Sequence, residues 1–365
     1  MKKITLNTYS QPDRQEIQER LAESVERAPE PYLEKYVSDA RSFEGRYVCS
    51  DLMKEQFAEF AASNEARARY NAPVHNSAAV LADEQYSRAI ADQSHPERDQ
   101  AIFVTGVPGA GKTTAVLTNG EPAQDVRVIY EGQLANPQTT IPKIQAALDA
   151  GLTPTIVAIN VPPEVALENT LNRFEIEGRG ASIHTIATIQ SGLPDGLQQI
   201  RDRFGDQVDF RLIDRSNGLN NSTELPGWEQ LDRLQRGSYE QIRDRLTESL
   251  QQQFDANRIS DNAYRQAQGL ATLAIGEGVY HEYGSHTERL QAASSEEIGK
   301  LRHELLDDSL SVNSPPHLAP FVDELATALT ADAALNVALP DTSPDNADST
   351  GQKGDIDDGF SMWIE

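Results

Sequence analysis

A single cysteine, Cys49, in 365 residues leaves no partner for a disulfide framework and too few thiolates for a structural zinc site. No apolar run reaches the roughly 18 residues a membrane span needs. The opening Met1-Lys2-Lys3-Ile4-Thr5-Leu6-Asn7 lacks the apolar core of a secretory signal. The expectation is a chain without membrane span or signal peptide, working in the cytoplasm. Basic residues are also scarce: 32 Lys and Arg stand against 57 Asp and Glu, a formal charge of −25. A chain so acidic repels the phosphate backbone, which argues against general nucleic-acid binding. Hydrophobic residues make up 38%, enough for a core diluted by some solvated segment. The length fits about two domains, or one of some 200 residues with appendages. No internal repeat is visible.

What is present divides into four stretches: 1–45, 46–220, 221–339 and 340–365. The first is polar and helical in period, with Ile17, Leu21 and Val25 spaced by four and Pro29 and Pro31 closing the run. Gly45-Arg46-Tyr47-Val48-Cys49-Ser50-Asp51 reads as a short strand ending on an acid, and 52–92 as two helices parted by Asn71-Ala72-Pro73. Ala101–Thr105 is a continuous apolar run, as in buried parallel strands. Beyond it, helices over 111–118, 138–150 and 163–175 alternate with strands over 126–130 and 155–161. A polar glycine-containing stretch (178–196), a helix (195–204) and a strand (208–213) come next. This alternation predicts an α/β fold, a P-loop NTPase-type parallel sheet flanked by helices. The stretch 228–333 reads as wholly helical, with segments near 228–254, 259–276, 286–309 and 318–333. Residues 331–365 carry eight acids and one lysine, so 340–365 is expected to be a disordered acidic tail.

Gly106-Val107-Pro108-Gly109-Ala110-Gly111-Lys112-Thr113 matches G-x-x-x-x-G-K-[ST] between a buried strand and a helix, the context that gives the motif its meaning. Its glycines let successive N–H groups turn inward as an anion nest at a helix start. Lys112 is placed to reach the β- and γ-phosphates of ATP, Thr113 to ligate Mg²⁺, and Thr114 to extend the nucleotide-binding set. P-loops serve kinases, motors, GTPases and helicases alike. There is no Asn-Lys-x-Asp segment for guanine. The strand 155–161 closes on Asn160-Val161-Pro162 without an acid, leaving Glu131 as the candidate acid at a strand end. A small core with polar helical additions favours phosphoryl transfer to a small molecule.

Beyond the P-loop, Val128-Ile129-Tyr130-Glu131-Gly132-Gln133-Leu134 resembles the Glu-Gly-Thr strand end of the zeta-toxin family. These are P-loop kinases of toxin–antitoxin systems whose founding members phosphorylate UDP-N-acetylglucosamine. Pro162-Pro163-Glu164 and Asn169-Thr170-Leu171-Asn172-Arg173-Phe174 are similar to the family's Pro-Glu and Thr-Leu-x-Arg-Tyr segments, and Arg179 in Gly178-Arg179-Gly180 to its second, lid arginine. The family's Asp-x-x-Arg/Lys box is missing from its usual place after the P-loop helix. Tyr47-Val48-Cys49-Ser50-Asp51-Leu52-Met53-Lys54, ahead of the P-loop, looks like that box. The resemblance thus implies a zeta-like kinase over about 46–215 with the acid-box unit moved forward. It also implies an antitoxin partner.

On this resemblance Asp51 is a general base, against the alternative of a helix N-cap. Lys54 holds a substrate phosphate, or is a solvated lysine. Glu131 bonds substrate hydroxyls at the sheet's C-terminal edge, with Mg²⁺ positioning as a second role, or simply marks where the chain leaves the sheet. Arg173 and Arg179 clamp the transferring phosphoryl group, or make surface ion pairs with Glu175 and Glu177. The glycines beside Arg179 suit a mobile lid. His75 and His184 have no metal-ligand spacing and are left out of the site. Asp214 is a turn residue or an adenine neighbour. The leading function is an ATP-dependent kinase of a sugar-nucleotide hydroxyl such as that of UDP-N-acetylglucosamine. The rivals are a kinase of another acceptor (a polynucleotide end or another metabolite) and a non-catalytic, nucleotide-gated interaction protein.

Overall fold

A computed structural model describes residues 1–117, 122–216, 218, 222–270 and 272. The helices expected near 286–309 and 318–333 and the tail over 340–365 lie outside the described residues. In chain order the elements are α1 (Pro12–Arg27), α2 (Glu30–Ser38), β1 (Tyr47–Cys49), α3 (Ser50–Lys54), α4 (Ala58–Ala61), α5 (Asn64–Tyr70) and α6 (His75–Ala91). Next come β2 (Gln100–Thr105), α7 (Lys112–Leu117), β3 (Val126–Glu131), α8 (Pro137–Asp149), β4 (Thr153–Asn160), α9 (Pro163–Glu177), α10 (Ile183–Phe204) and β5 (Asp209–Asp214). β6 (Thr223–Pro226), a 3₁₀ segment (Trp228–Leu234), α11 (Tyr239–Asp255) and α12 (Asp261–Ala267) complete them.

Among the described residues, six strands form one sheet in the order β1-β3-β2-β4-β5-β6. The first five run parallel, and β6 pairs antiparallel to β5 at the edge. Side chains alternate across the sheet with period two, as a strand covered on both faces requires. Ala101, Phe103, Val128, Ile156, Ala158 and Leu212 pack into one core layer with α8 and the second half of α10. Tyr47, Cys49, Val104, Ile129 and Ile159 point to the opposite layer, formed with α1, α3, α9 and α11. The P-loop strand β2 sits in the middle of the sheet. Loops at its C-terminal end are therefore flanked by strands on both sides, where open α/β sheets hold ligands.

β1 has only three residues and lies on the edge, so it needs help to stay there. Tyr36 of α2 supplies it: the fully buried phenol donates to the Tyr47 carbonyl (2.6 Å) and accepts from the Cys49 N–H (3.0 Å). On its other side β1 pairs with β3, matching Tyr47 to Ile129 and Cys49 to Glu131. The N-terminal helices thus complete the sheet and are no loose appendage.

Three expectations give way. The first of the two helices expected in 52–92 is three short ones, because Phe57 and Ser63 adopt extended backbone and each starts a new turn. The glycine-containing stretch 178–196 is helical from Ile183, since Ser182 caps α10 by accepting from the Thr185 N–H. Ile186, Ile189, Leu193, Leu197, Ile200 and Phe204 give α10 a continuous buried stripe, which carries it through Gly192, Pro194 and Gly196. Finally, 228–254 is a 3₁₀ segment and then α11, which begins at a capping box on Ser238 and Gln241.

Tyr36→Phe keeps the ring but strips two buried backbone groups of β1 of their partner. We expect it to cost about 1–3 kcal/mol, read as a lower urea midpoint at unchanged m-value. An unchanged midpoint would show that β1 stands without the phenol.

Candidate active site

The P-loop takes the shape its glycines allow. Gly109 has φ 81°, and a Cβ there would stand 2.2 Å from the Ala166 carbonyl, so no other residue fits against α9. The Lys112 ammonium folds back over the loop and donates to the carbonyls of Gly106 (3.0 Å) and Val107 (3.1 Å). Asn169 of α9 donates to the Gly109 carbonyl (2.8 Å) and Arg215, just past β5, to that of Gly111 (3.0 Å). Val107, Pro108, Ala110 and Thr114 complete the loop and the start of α7.

Register places two acids from distant parts of the chain at one sheet edge. Val104, Glu131 and Cys49 lie side by side on β2, β3 and β1. Glu131 accepts from the Thr113 hydroxyl (3.1 Å) and from the Tyr47 phenol, and lies 3.9 Å from the Lys112 ammonium. Asp51 sits two residues beyond Cys49, in the first turn of α3. The Cys49 thiol reports both acids: burial first, then the charges of Glu131 and Asp51, push it up to about 12.

Around Asp51 the cations gather. Lys54 donates to Asp51 Oδ1 (3.1 Å) and to Asn71 Oδ1 (2.8 Å), and Arg173 donates to Asp51 Oδ2 (3.3 Å). Burial alone would raise the Asp51 carboxyl. Lys54, then Arg173 and Arg179, outweigh it and hold the group well below the usual carboxylate range. Asn169 and Arg173 are one helical turn apart on α9, so a single face touches both the P-loop and Asp51. The Asp51 side chain keeps 37% of its surface exposed, open to an incoming group.

Arg179 stands on the short connector between α9 and α10. It donates to Glu177 Oε2 (2.6 Å) and lies 3.5 Å from Glu55, which is itself held by Arg67. Arg173 Nε reaches the same Glu177 oxygen (3.2 Å). The ion pair with Glu177 is therefore present for both arginines, while Glu175 accepts instead from the Ser260 N–H.

One expectation changes here. The Lys54 side chain is only 4% exposed with both acceptors in place, so its charge is committed to Asp51 and Asn71 and not left free for a substrate phosphate. Of the two glycines beside Arg179, Gly178 (φ 69°) caps α9, and a Cβ there would meet the Asn64 carbonyl at 2.0 Å, so the fold requires that glycine for packing. Asp214 closes β5 and accepts from the Ser216 N–H (3.0 Å) where the chain leaves the strand, and the His184 ring bonds Tyr239 (2.8 Å) between α10 and α11.

Residue-by-residue reading overlooked several neighbours of the site. Tyr47 is hidden in a strand pattern, Asn71 in a turn, and Arg215 beside an acid read as a turn. His75 opens α6, and burial together with the Lys54 charge pushes its imidazole down to about 3, so it is neutral. The one available signal was the clustering of Asn71 and His75 around the Asn-Ala-Pro turn, which parts the two helices expected after the acid box.

Because the folded Asp51 value is depressed, its contribution to stability is present above the ordinary value of about 4 and is lost as pH falls through the folded one. Asp51→Asn leaves Lys54 buried without its counter-charge. The Tm gap between wild type and this variant should be widest near neutral pH and close on acidification. A pH-independent gap would refute the assignment.

A comparison with curated proteins returned no match. The family model described as Zeta toxin matches residues 122–222, from just before β3 to just before β6. Over residues 122–222 the chain is thus similar to the zeta-toxin family of P-loop kinase-like proteins.

Proposed function

We propose that the chain is an ATP-dependent phosphotransferase that moves the γ-phosphoryl group to a hydroxyl of a small molecule, a sugar nucleotide such as UDP-N-acetylglucosamine, and acts as the toxin of a toxin–antitoxin pair. The observation that supports it best is the placement of Asp51 at the same sheet edge as the P-loop, with Arg173 bridging from the helix that rests on Gly109. A bare nucleotide binder has no need of a second acid there. The acceptor class and the antitoxin rest on the family, not on geometry.

The donor set suits Mg²⁺ with ATP. Thr113 and Glu131 offer hard oxygen ligands 3.1 Å apart beside the loop, and Mg²⁺ characteristically takes one or two protein oxygens, the phosphates and water. The metal, when bound, neutralises charge between the phosphates. The second role considered for Glu131 is therefore the better supported one: it orients the Thr113 hydroxyl and shares the metal site.

The residues divide the remaining work. Backbone N–H groups of Gly109, Gly111, Lys112 and Thr113 hold the phosphates, and Lys112 leaves its carbonyl partners to reach the terminal ones. Arg173 and Arg179 offset charge on the transferring group. Asp51 accepts a hydrogen bond from the acceptor hydroxyl and aligns its lone pair. A carboxylate with so low a proton affinity is a poor base toward a free alcohol. It takes the proton late, once the new P–O bond makes that proton acidic, which suits the loose transition state of phosphoryl transfer. Lys54 and Asn71 keep the carboxylate aimed.

Purified protein with ATP, Mg²⁺ and a panel of UDP-sugars should yield a new phosphomonoester by ³¹P NMR. Asp51→Asn should lower kcat by about 10²–10⁴, and Lys112→Ala should abolish turnover and any growth arrest on expression. ADP formation without a phosphorylated sugar would sink the acceptor class, and full activity in Asp51→Asn would sink the mechanism.

A further inference from the structure

Glu177 is absent from the transfer chemistry above, yet it is the point on which both arginines converge. Its Oε2 accepts from Arg179 (2.6 Å) and from Arg173 Nε (3.2 Å), two guanidinium groups on one oxygen. Guanidinium groups bind carboxylate and phosphate oxygens through the same charge-assisted N–H···O bonds, so a carboxylate held by both arginines can occupy a phosphate's place. Among the described residues, the surrounding charges are Lys54, Arg67, Arg173 and Arg179 against Asp51, Glu55 and Glu177. Each carboxylate that stays in place offsets cationic charge that an incoming phosphoryl group would otherwise meet.

The three carboxylates are not equally free to withdraw. Glu55 is 9% exposed and locked by Arg67, while Asp51 is fixed by buried Lys54. Glu177 is 45% exposed and ends α9 immediately before the Gly178 cap, so its side chain can swing into solvent without moving the helix. Its withdrawal leaves two partly buried guanidinium groups, 31% and 17% exposed, whose lost partner an incoming phosphate would replace.

We propose that Glu177 is a built-in stand-in for phosphate. It holds Arg173 and Arg179 in their gripping geometry while the site is empty, and a polyphosphate displaces it. This rests on the kinase reading for the identity of the displacing group, but it is tested by binding alone. The measurement is calorimetric titration of the full chain with inorganic tripolyphosphate and Mg²⁺, comparing wild type with Glu177→Gln and Glu177→Asp. A competing carboxylate predicts that Glu177→Gln binds about three- to tenfold more tightly, with Glu177→Asp between it and wild type. With ATP as substrate, the same variant should show a lower KM and no gain in kcat, because the arginines lose their pre-set geometry. A purely structural Glu177 predicts weaker or equal binding, and either result overturns the proposal, as does no binding by all three proteins. Absence of any phosphorylated acceptor would instead strike the kinase reading and leave the displacement result standing. Should Glu177→Gln lose its thermal transition, Glu177→Asp carries the comparison alone.

Discussion

The parallel ladder between β1 and β3 is the constraint on which the site depends. Only because Cys49 pairs with Glu131 does Asp51 emerge at the same edge as the P-loop, some fifty residues ahead of it in sequence. A slip of one residue would turn Tyr47 and Cys49 to the opposite face and aim the start of α3 away from the cleft. Three residues of pairing cannot resist that slip by themselves. The resistance comes from the Tyr36 hydroxyl on the free edge, from Tyr47 reaching Glu131, and from the fully buried Met53 and Phe57 that anchor α3 and the turn into α4. The acidic N-terminal third of the chain is thus a component of the candidate active site.

A second constraint is electrostatic. A protein with a net charge of −25 gains nothing globally from attracting polyanions, so whatever draws in a phosphate must be local. The chain concentrates cations where α3, α5, α9 and the α9–α10 connector meet, and pairs each with a carboxylate. Lys54 shows the division of labour. Buried as it is, an unpaired ammonium would be costly, so it is committed to Asp51 and Asn71. The more exposed Arg173 and Arg179 stay available for exchange. Burial therefore sorts positioning charges from working ones, a distinction that the spacing of charged residues along the sequence does not contain.

This explains which parts of the molecule could be read from sequence. β2 through β5 with their helices were legible because buried parallel strands are continuous apolar runs and the P-loop fixes the register of everything near it. Ile17, Leu21 and Val25 marked α1 by period alone, and all three are buried. Glycine and proline misled in 178–196, where tertiary burial of one α10 stripe overrode local propensity. β6 was missed because an edge strand of four residues, mostly exposed, carries no periodic signal. In the site, the acids and arginines were visible as residue types. The neighbours that set their states, Tyr36, Tyr47 and Asn71, come from other elements and are brought in only by packing, whereas Glu177 was in view as an ion-pair partner on the same helix as Arg173.

Chain order and strand position are separable quantities, and the energetics show why a unit can move ahead of the P-loop. Closing a loop of n residues costs entropy that grows only as about (3/2)RT ln n, so rerouting a connection by tens of residues changes stability by less than about 1 kcal/mol. Misplacing one carboxylate in a transfer site costs more: a misplacement of about 1 Å is worth a hundredfold in rate. A transfer site would therefore constrain the spatial edge far more than the route between its pieces. In this chain β1 and α3 take the place beside β3 that the proposed reading gives to the acid box. Downstream of Lys112 the sequence holds only the short approach to β3, whereas across the ladder from Glu131 lie Cys49 and, two residues on, Asp51.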